Sequence, residues 1–266
     1  MQTNANTWHL IHAPKDSSGC DAPEEVVLNL QGVLWKHDLP PFTAHATSTS
    51  KQLKYLRQSV SLTGLGTPYF EASMKALTNI YVLFSRFVPA DKLQACAIMG
   101  KYGEHVSMDA SNRYFTTRKD NPMEKHIPFD SDVDPNGILE RAAGGSAYIH
   151  SEHNIVRYYE RVKSTMDSKY NCIPPVRFRD GDIIEVQMTI LLVPLLHGQF
   201  KMMTTLRSLT LVDTTFSQVT ITLKRKIGYR DEDIASTREK LTSRMDIGDA
   251  TPRGGNGDQE AIEQLD

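Results

Sequence analysis

The sequence predicts an α+β protein: a helical N-terminal part and a C-terminal antiparallel β unit, either a partly open barrel or a small sandwich. Three observations carry this. From Ile184 the apolar residues fall on even positions (Ile184, Val186, Met188, Ile190, Leu192), with Glu185, Gln187 and Thr189 between them. That is the period of a strand with one buried face. His197-Gly198 marks a turn into a second β-rich run, Phe200 to Val212, and Val219, Ile221 and Leu223 form a third. Upstream, by contrast, Phe70, Met74, Leu77, Ile80, Tyr81 and Phe84 recur at helical spacing.

The chain divides into four stretches. Residues 1–24 read as a flexible arm, 25–170 as a mainly helical part, 171–228 as the β unit and 229–266 as a polar, acidic, disordered tail. Val26, Val27, Leu28 and Leu30 suggest a first strand ended by Pro40-Pro41. If that strand joins the C-terminal sheet, the protein is one mixed domain instead of two units. Thr47 to Ser50 offer caps for a helix from Lys51, with Leu53, Leu56 and Val60 as its stripe. Gly64 and Gly66 break that element, and Thr67-Pro68 opens the longer helix, a hydroxyl before a first-turn proline.

A further helix is expected after Pro89, reaching about Met99 with Gly100 as its cap. Residues 101–133 read as loop with one strand near Tyr114 and Phe115. Asp134-Pro135 begins a short helix that stops at Gly144-Gly145, and Ala147 to Ile149 suggest a strand. Ile155, Tyr158, Tyr159 and Val162 suggest a helix after Asn154, and Pro174-Pro175 separate it from the terminal strands. Between Phe200 and Leu211 the apolar positions shift from even to odd, which predicts a bulge near Arg207-Ser208.

Composition narrows the function classes without choosing one. The chain has 266 residues, 39% apolar and 23% charged, the profile of an ordinary globular protein. Ten acidic and four basic residues in 231–266 leave the first 230 with a net +4, against −2 overall. Neither value reads as a nucleic-acid footprint. Cys20, Cys96 and Cys172 lie far apart with no CxxC pair, which disfavours a disulfide framework or zinc site and suits a reducing compartment. No secretory signal opens the chain, and the apolar stretch at Ile190–Leu196 is too short to span a bilayer. These readings predict an intracellular protein, cytoplasmic or nuclear, with no membrane partner.

The strongest catalytic pattern is His150-Ser151-Glu152, followed by His197 and, ten residues later, Arg207. Iron/2-oxoglutarate oxygenases hold iron with two histidines and a carboxylate, leaving open positions for oxygen and co-substrate. On that reading His150, Glu152 and His197 are the ligands and Arg207 holds the co-substrate carboxylate. Nine histidines and 32 acidic residues make about one H-x-[DE] expected by chance. His197-Gly198 also falls where a turn is predicted, and the carboxylate is Glu where Asp is usual.

Asp132-x-Asp134-x-Asn136-Gly137 matches the first half of a calcium loop, but its twelfth position is Ala143. Asp134 as a helix cap accounts for the same residues. His150 with His153, and His105 with Asp109, lack a third ligand. No G-x-S-x-G, P-loop or complete G-x-G-x-x-G is present. Lys224-Arg225-Lys226 with Arg230 form a short basic cluster, and Tyr158 and Tyr159 sit beside Arg157 and Arg161.

The segments LKYLRQSVSLTGLGTPYF (from Leu53), YIHSEHNIVRYYERV (from Tyr148), FRDGDIIEVQMTILLVP (from Phe178) and LRSLTLVDTTFS (from Leu206) resemble uncharacterised proteins of mushroom-forming fungi, over roughly 50–225. The resemblance implies a source and no activity. The expectation is therefore a non-catalytic interaction module with a protein or nucleic-acid partner and no cofactor. The alternative is the iron/2-oxoglutarate oxygenase.

Overall fold

Helical spacing at 53–60 turns out to be the weaker of two patterns there. Gln58, Val60 and Leu62 are buried and alternate with half-buried Arg57, Ser59 and Ser61, which is a strand. A computed structural model describes residues 7–12, 24–43, 53–162 and 169–218, all within one compact unit, Met1–Val219. Its described strands are β1 (Trp8–His9), β2 (Leu28–Asp38), β3 (Arg57–Thr63), β4 (Met99–Tyr102), β5 (His105–Arg113), β6 (Thr116–Thr117), β7 (Tyr148–Ile149), β8 (Arg157–Val162), β9 (Lys169–Cys172), β10 (Ile183–Pro194) and β11 (Phe200–Asp213). Helix α1 (Pro68–Ser85) lies between β3 and β4, and α2 (Ile138–Ala143) between β6 and β7.

The protein is therefore mostly β, which corrects the expected α+β division into a helical N-terminal part and a separate β unit. Strands from both expected parts share one closed five-stranded barrel with extra strands. Strands β2, β3 and β5 form an antiparallel meander; β10 returns antiparallel to β2, and β11 pairs antiparallel with β10. The ring closes where β11 meets β5 in parallel at Thr205–Ser111. Side chains reinforce that short seam: Thr204 Oγ1 donates to the Asp109 carbonyl at 2.9 Å and Asn112 Nδ2 to the Leu206 carbonyl at 3.0 Å. This order, a meander followed by a hairpin that closes on its first and third strands, is that of an OB-type barrel.

The misread helices have physical causes. After Asn154 a short 3-10 turn gives way to β8, which pairs in parallel with β11 over Ser208–Leu211 and carries edge strand β9. Residues 89–98 form no helix; β4 follows and pairs with β5. At β8 the parallel pairing with β11 prevails over the helical spacing, whereas 89–98 run irregularly with a single bridge from Leu93 to Phe200. Helix α1 is as expected, burying Phe70, Met74, Leu77 and Phe84. Phe70 packs where two glycines leave room: a Cβ on Gly64 would stand 2.1 Å from Phe70 Cβ, and one on Gly32 3.0 Å from its ring.

The strand readings from Ile184 to Val212 hold, while residues 215–218 are helical and not part of a strand. Ile184, Val186, Met188, Ile190 and Leu192 are all buried. His197 and Gly198 take left-handed φ of 62° and 69° in the turn. Gln187 pairs with Ser208 and Met188 with Leu206, so Arg207 is the extra residue of a bulge. The first strand also joins this barrel, as the mixed-domain alternative expected. Val219, Ile221, Leu223, the 224–230 basic cluster and the acidic tail lie outside the described residues.

Candidate nucleic-acid interface

Pairing register sets the outer face of β3 and β5. Arg57 faces Arg113, Ser59 faces Ser111, Ser61 faces Asp109 and Thr63 faces Ser107, while Gln58, Val60 and Leu62 point into the barrel. Directly paired residues share a face, so two guanidinium groups stand side by side at one end of a ladder of small hydroxyls. Ordinarily like charges in that position are destabilising. Among the described residues neither side chain makes an ion pair or a hydrogen bond. Burial first, and then the neighbouring Arg113, hold the Arg57 guanidinium below its ordinary pKa.

The surroundings add cations and rings. Lys54 Nζ lies 4.7 Å from the centroid of the Tyr55 ring, and Tyr55 is 63% exposed. A groove of about 390 Å³ is lined by Asp38, Phe42, Tyr55, Arg57 and Tyr114, among others. The connection from Leu39 to Leu56 contains no acidic residue and carries Lys51 and Lys54. Toward the opposite end of the face, the β2–β3 register slips between Leu34 and Lys36, leaving Trp35 as the extra residue. Its ring lies 5.2 Å from that of Tyr102 in the β4–β5 hairpin, and Tyr102 is 43% exposed. Asp38 and Asp109 are exposed on the same ladder, Asp38 opposite Ser59 and beside Arg57 in the groove, Asp109 opposite Ser61.

A second cleft, of about 540 Å³, opens behind these strand ends, with Gln58, Tyr114, Phe129, His150, Asn154 and Tyr158 among its walls. It exists because β5 parts from β11 beyond Ser111 and β8 takes its place. Tyr158 closes the gap from inside, its hydroxyl donating to Gln58 Oε1. Asn112 Nδ2 spans the same gap to the carbonyls of Leu206 and His153. Burial pushes the Tyr114 and Tyr158 phenols well above their ordinary range.

The residues singled out for iron are dispersed among other contacts. His150 is buried in this cleft wall, its Nδ1 2.8 Å from the Tyr114 carbonyl and its ring stacked 4.0 Å from Phe129. Glu152 is exposed and pairs with Arg157 at 2.9 Å. His197 sits exposed in the β10–β11 turn, and Arg207 pairs with Glu25 at 3.0 Å. Among the described residues no three His, Cys, Asp or Glu side chains are grouped to hold a metal ion. Of the four, Glu152 and Arg207 alone line a common surface hollow.

The other motifs resolve locally. Both Asp134 oxygens accept backbone N–H groups, from Ile138 at 2.7 Å and Glu140 at 2.9 Å, so the carboxylate caps α2. His153 pairs with Glu124 at 3.0 Å. Tyr158 is core and Tyr159 half-buried, so they form no stacking platform. Sequence reasoning passed over Trp35, Lys54, Tyr55, Arg57, Tyr102 and Arg113. The available signal was the acid-free, lysine-bearing connection running into the Arg57-x-Ser59-x-Ser61 alternation.

No helix among the described residues is long and apolar enough to cross a membrane. No family model and no curated protein matches the chain. Among solved structures, the chain is similar to gp2.5, a single-stranded DNA binding protein encoded by bacteriophage T7, with a TM-score of 0.38 and 10% identity over 87% of this chain and 99% of that one.

Proposed function

We infer that the protein binds single-stranded nucleic acid along the outer face of β3 and β5. In OB-type barrels this face, formed by the second and third barrel strands, takes oligonucleotides or oligosaccharides. The carrying observation is the Arg57–Arg113 pair, two adjacent guanidinium groups without a carboxylate partner beside exposed Tyr55. Phosphates relieve that repulsion and a neutral sugar does not, which favours the oligonucleotide. Tyr55 and Tyr102 offer ring faces for unpaired bases, and stacking on such rings is sequence-tolerant. The small hydroxyls between them leave the backbone room to lie close to the sheet.

The test is fluorescence anisotropy with a labelled oligothymidylate of about 20 nucleotides, which exceeds the site size of one such barrel. The expected result is binding that weakens with salt, a preference over duplex of equal length, and a loss of about 5- to 150-fold in Tyr55→Ala, from about 1–3 kcal/mol of stacking. Equal affinity for duplex, or no binding at low salt, would overturn the reading.

A further inference from the structure

We propose that the cleft behind the Arg57–Arg113 pair receives one unstacked nucleobase of the bound strand; this rests on the interface reading above. The cleft's volume of about 540 Å³ falls within the usual range of about 300–1,000 Å³ for small-molecule sites. Two of its walls, Gln58 and Tyr114, directly follow Arg57 and Arg113 in the chain. Tyr114 is also a wall of the groove that holds Tyr55 and Arg57, so the groove and the cleft share one side chain as their partition.

The polar groups in the cleft are incompletely used, and in a complementary way. The Tyr114 carbonyl can only accept, so His150 Nδ1 carries the proton at 2.8 Å and Nε2 is left as an acceptor. His150 is 6% exposed, and its Nε2 has no partner among the described residues. Asn154, 3% exposed, accepts through Oδ1 from the Ser151 N–H, the Ser151 hydroxyl and the Thr116 hydroxyl. Those donors identify the oxygen, so its Nδ2 is a donor, and it too has no acceptor among the described residues. An acceptor and a donor from two nearly buried side chains, beside the stacked Phe129–His150 rings, suit a flat ring whose edge offers both complements. Nucleobases have that edge. Burial lowers the His150 pKa, which keeps Nε2 an acceptor near neutral pH.

The experiment uses the full chain and an oligothymidylate of about 20 nucleotides with a single 2-aminopurine moved along it. Free deoxyadenosine is titrated in parallel by NMR. His150→Asn keeps a donor for the Tyr114 carbonyl but removes the Nε2 acceptor, and Ile155→Trp fills the rim by bulk alone. Thermal midpoints show that each variant is folded. One position, or two adjacent ones, is expected to change 2-aminopurine emission on binding. Both variants should abolish that change while total affinity falls only a few-fold. Shifts with deoxyadenosine that both variants abolish would also support the base chemistry and extend the cleft to free nucleosides. If the strand binds with its salt dependence intact and neither variant alters emission at any position, the cleft proposal is overturned and the interface reading stands. If the strand does not bind, both fall.

Discussion

Replacing Arg57 and Arg113 by alanine, singly and together, separates a recognition role from a structural one. The structure places three cations at this end of the face: Lys54, Arg57 and Arg113. For single strands each neutralised phosphate contributes about 0.7 to the slope of log affinity against log salt. Three contacts give a slope of about −2, so raising salt fourfold should weaken binding about 20-fold. The double variant, with one contact left, should lose only about threefold over the same range. Anisotropy titrations at several salt concentrations read both numbers. Folding stability supplies the contrast, because the pair is repulsive and Arg57 is partly desolvated. Urea midpoints should therefore stay level or rise in the single variants. A falling midpoint with an unchanged salt slope would refute the reasoning, since it would mean that the guanidinium groups hold the fold and touch no phosphate.

Three further outcomes follow from the packing. Phe70→Ala should cost about 3–5 kcal/mol in urea unfolding, as a fully buried ring lost from the core. Gly64→Ala should also destabilise, by about 1–3 kcal/mol or more, because its new methyl overlaps Phe70. Asn112→Ala leaves two carbonyls at the barrel seam without their shared donor and should cost about 1–3 kcal/mol in the same assay. His150 has its pKa lowered by burial, so the unfolded chain binds the proton more readily. Its contribution is intact above the unfolded value near 6.5 and is lost as pH falls below it, at no more than about 1.4 kcal/mol per pH unit. His150→Asn should flatten that part of the urea-midpoint profile; an unchanged profile would assign it to other groups.

The legible parts of this fold are those where one period dominates. β10 alternates over five buried residues, and the phase change after Leu206 announced the bulge at Arg207. Helix α1 has a proline start and a full apolar stripe. The barrel as a whole was hidden because its pairs are distant in sequence: β2 meets β10 across about 150 residues, and β5 meets β11 at a single register pair. Such contacts leave no local trace. β3 was misread because Leu53, Leu56 and Val60 mimic a helical stripe across a turn into a strand. Tyr158 and Val162 similarly mimic one in β8, where parallel pairing with β11 prevails. The interface was illegible for a related reason. Arg57 and Arg113 are 56 positions apart and become neighbours only through the β3–β5 register, so a whole-chain charge count dilutes them.

Photocrosslinking of an iododeoxyuridine-substituted single strand, mapped by mass spectrometry, tests the location of binding most directly. The outer face of β3 and β5 predicts adducts at Tyr55, Trp35 and Tyr102, with competition by unlabelled strand. Adducts confined to other exposed rings, such as Tyr170 on β9 or Tyr69 on α1, would contradict it.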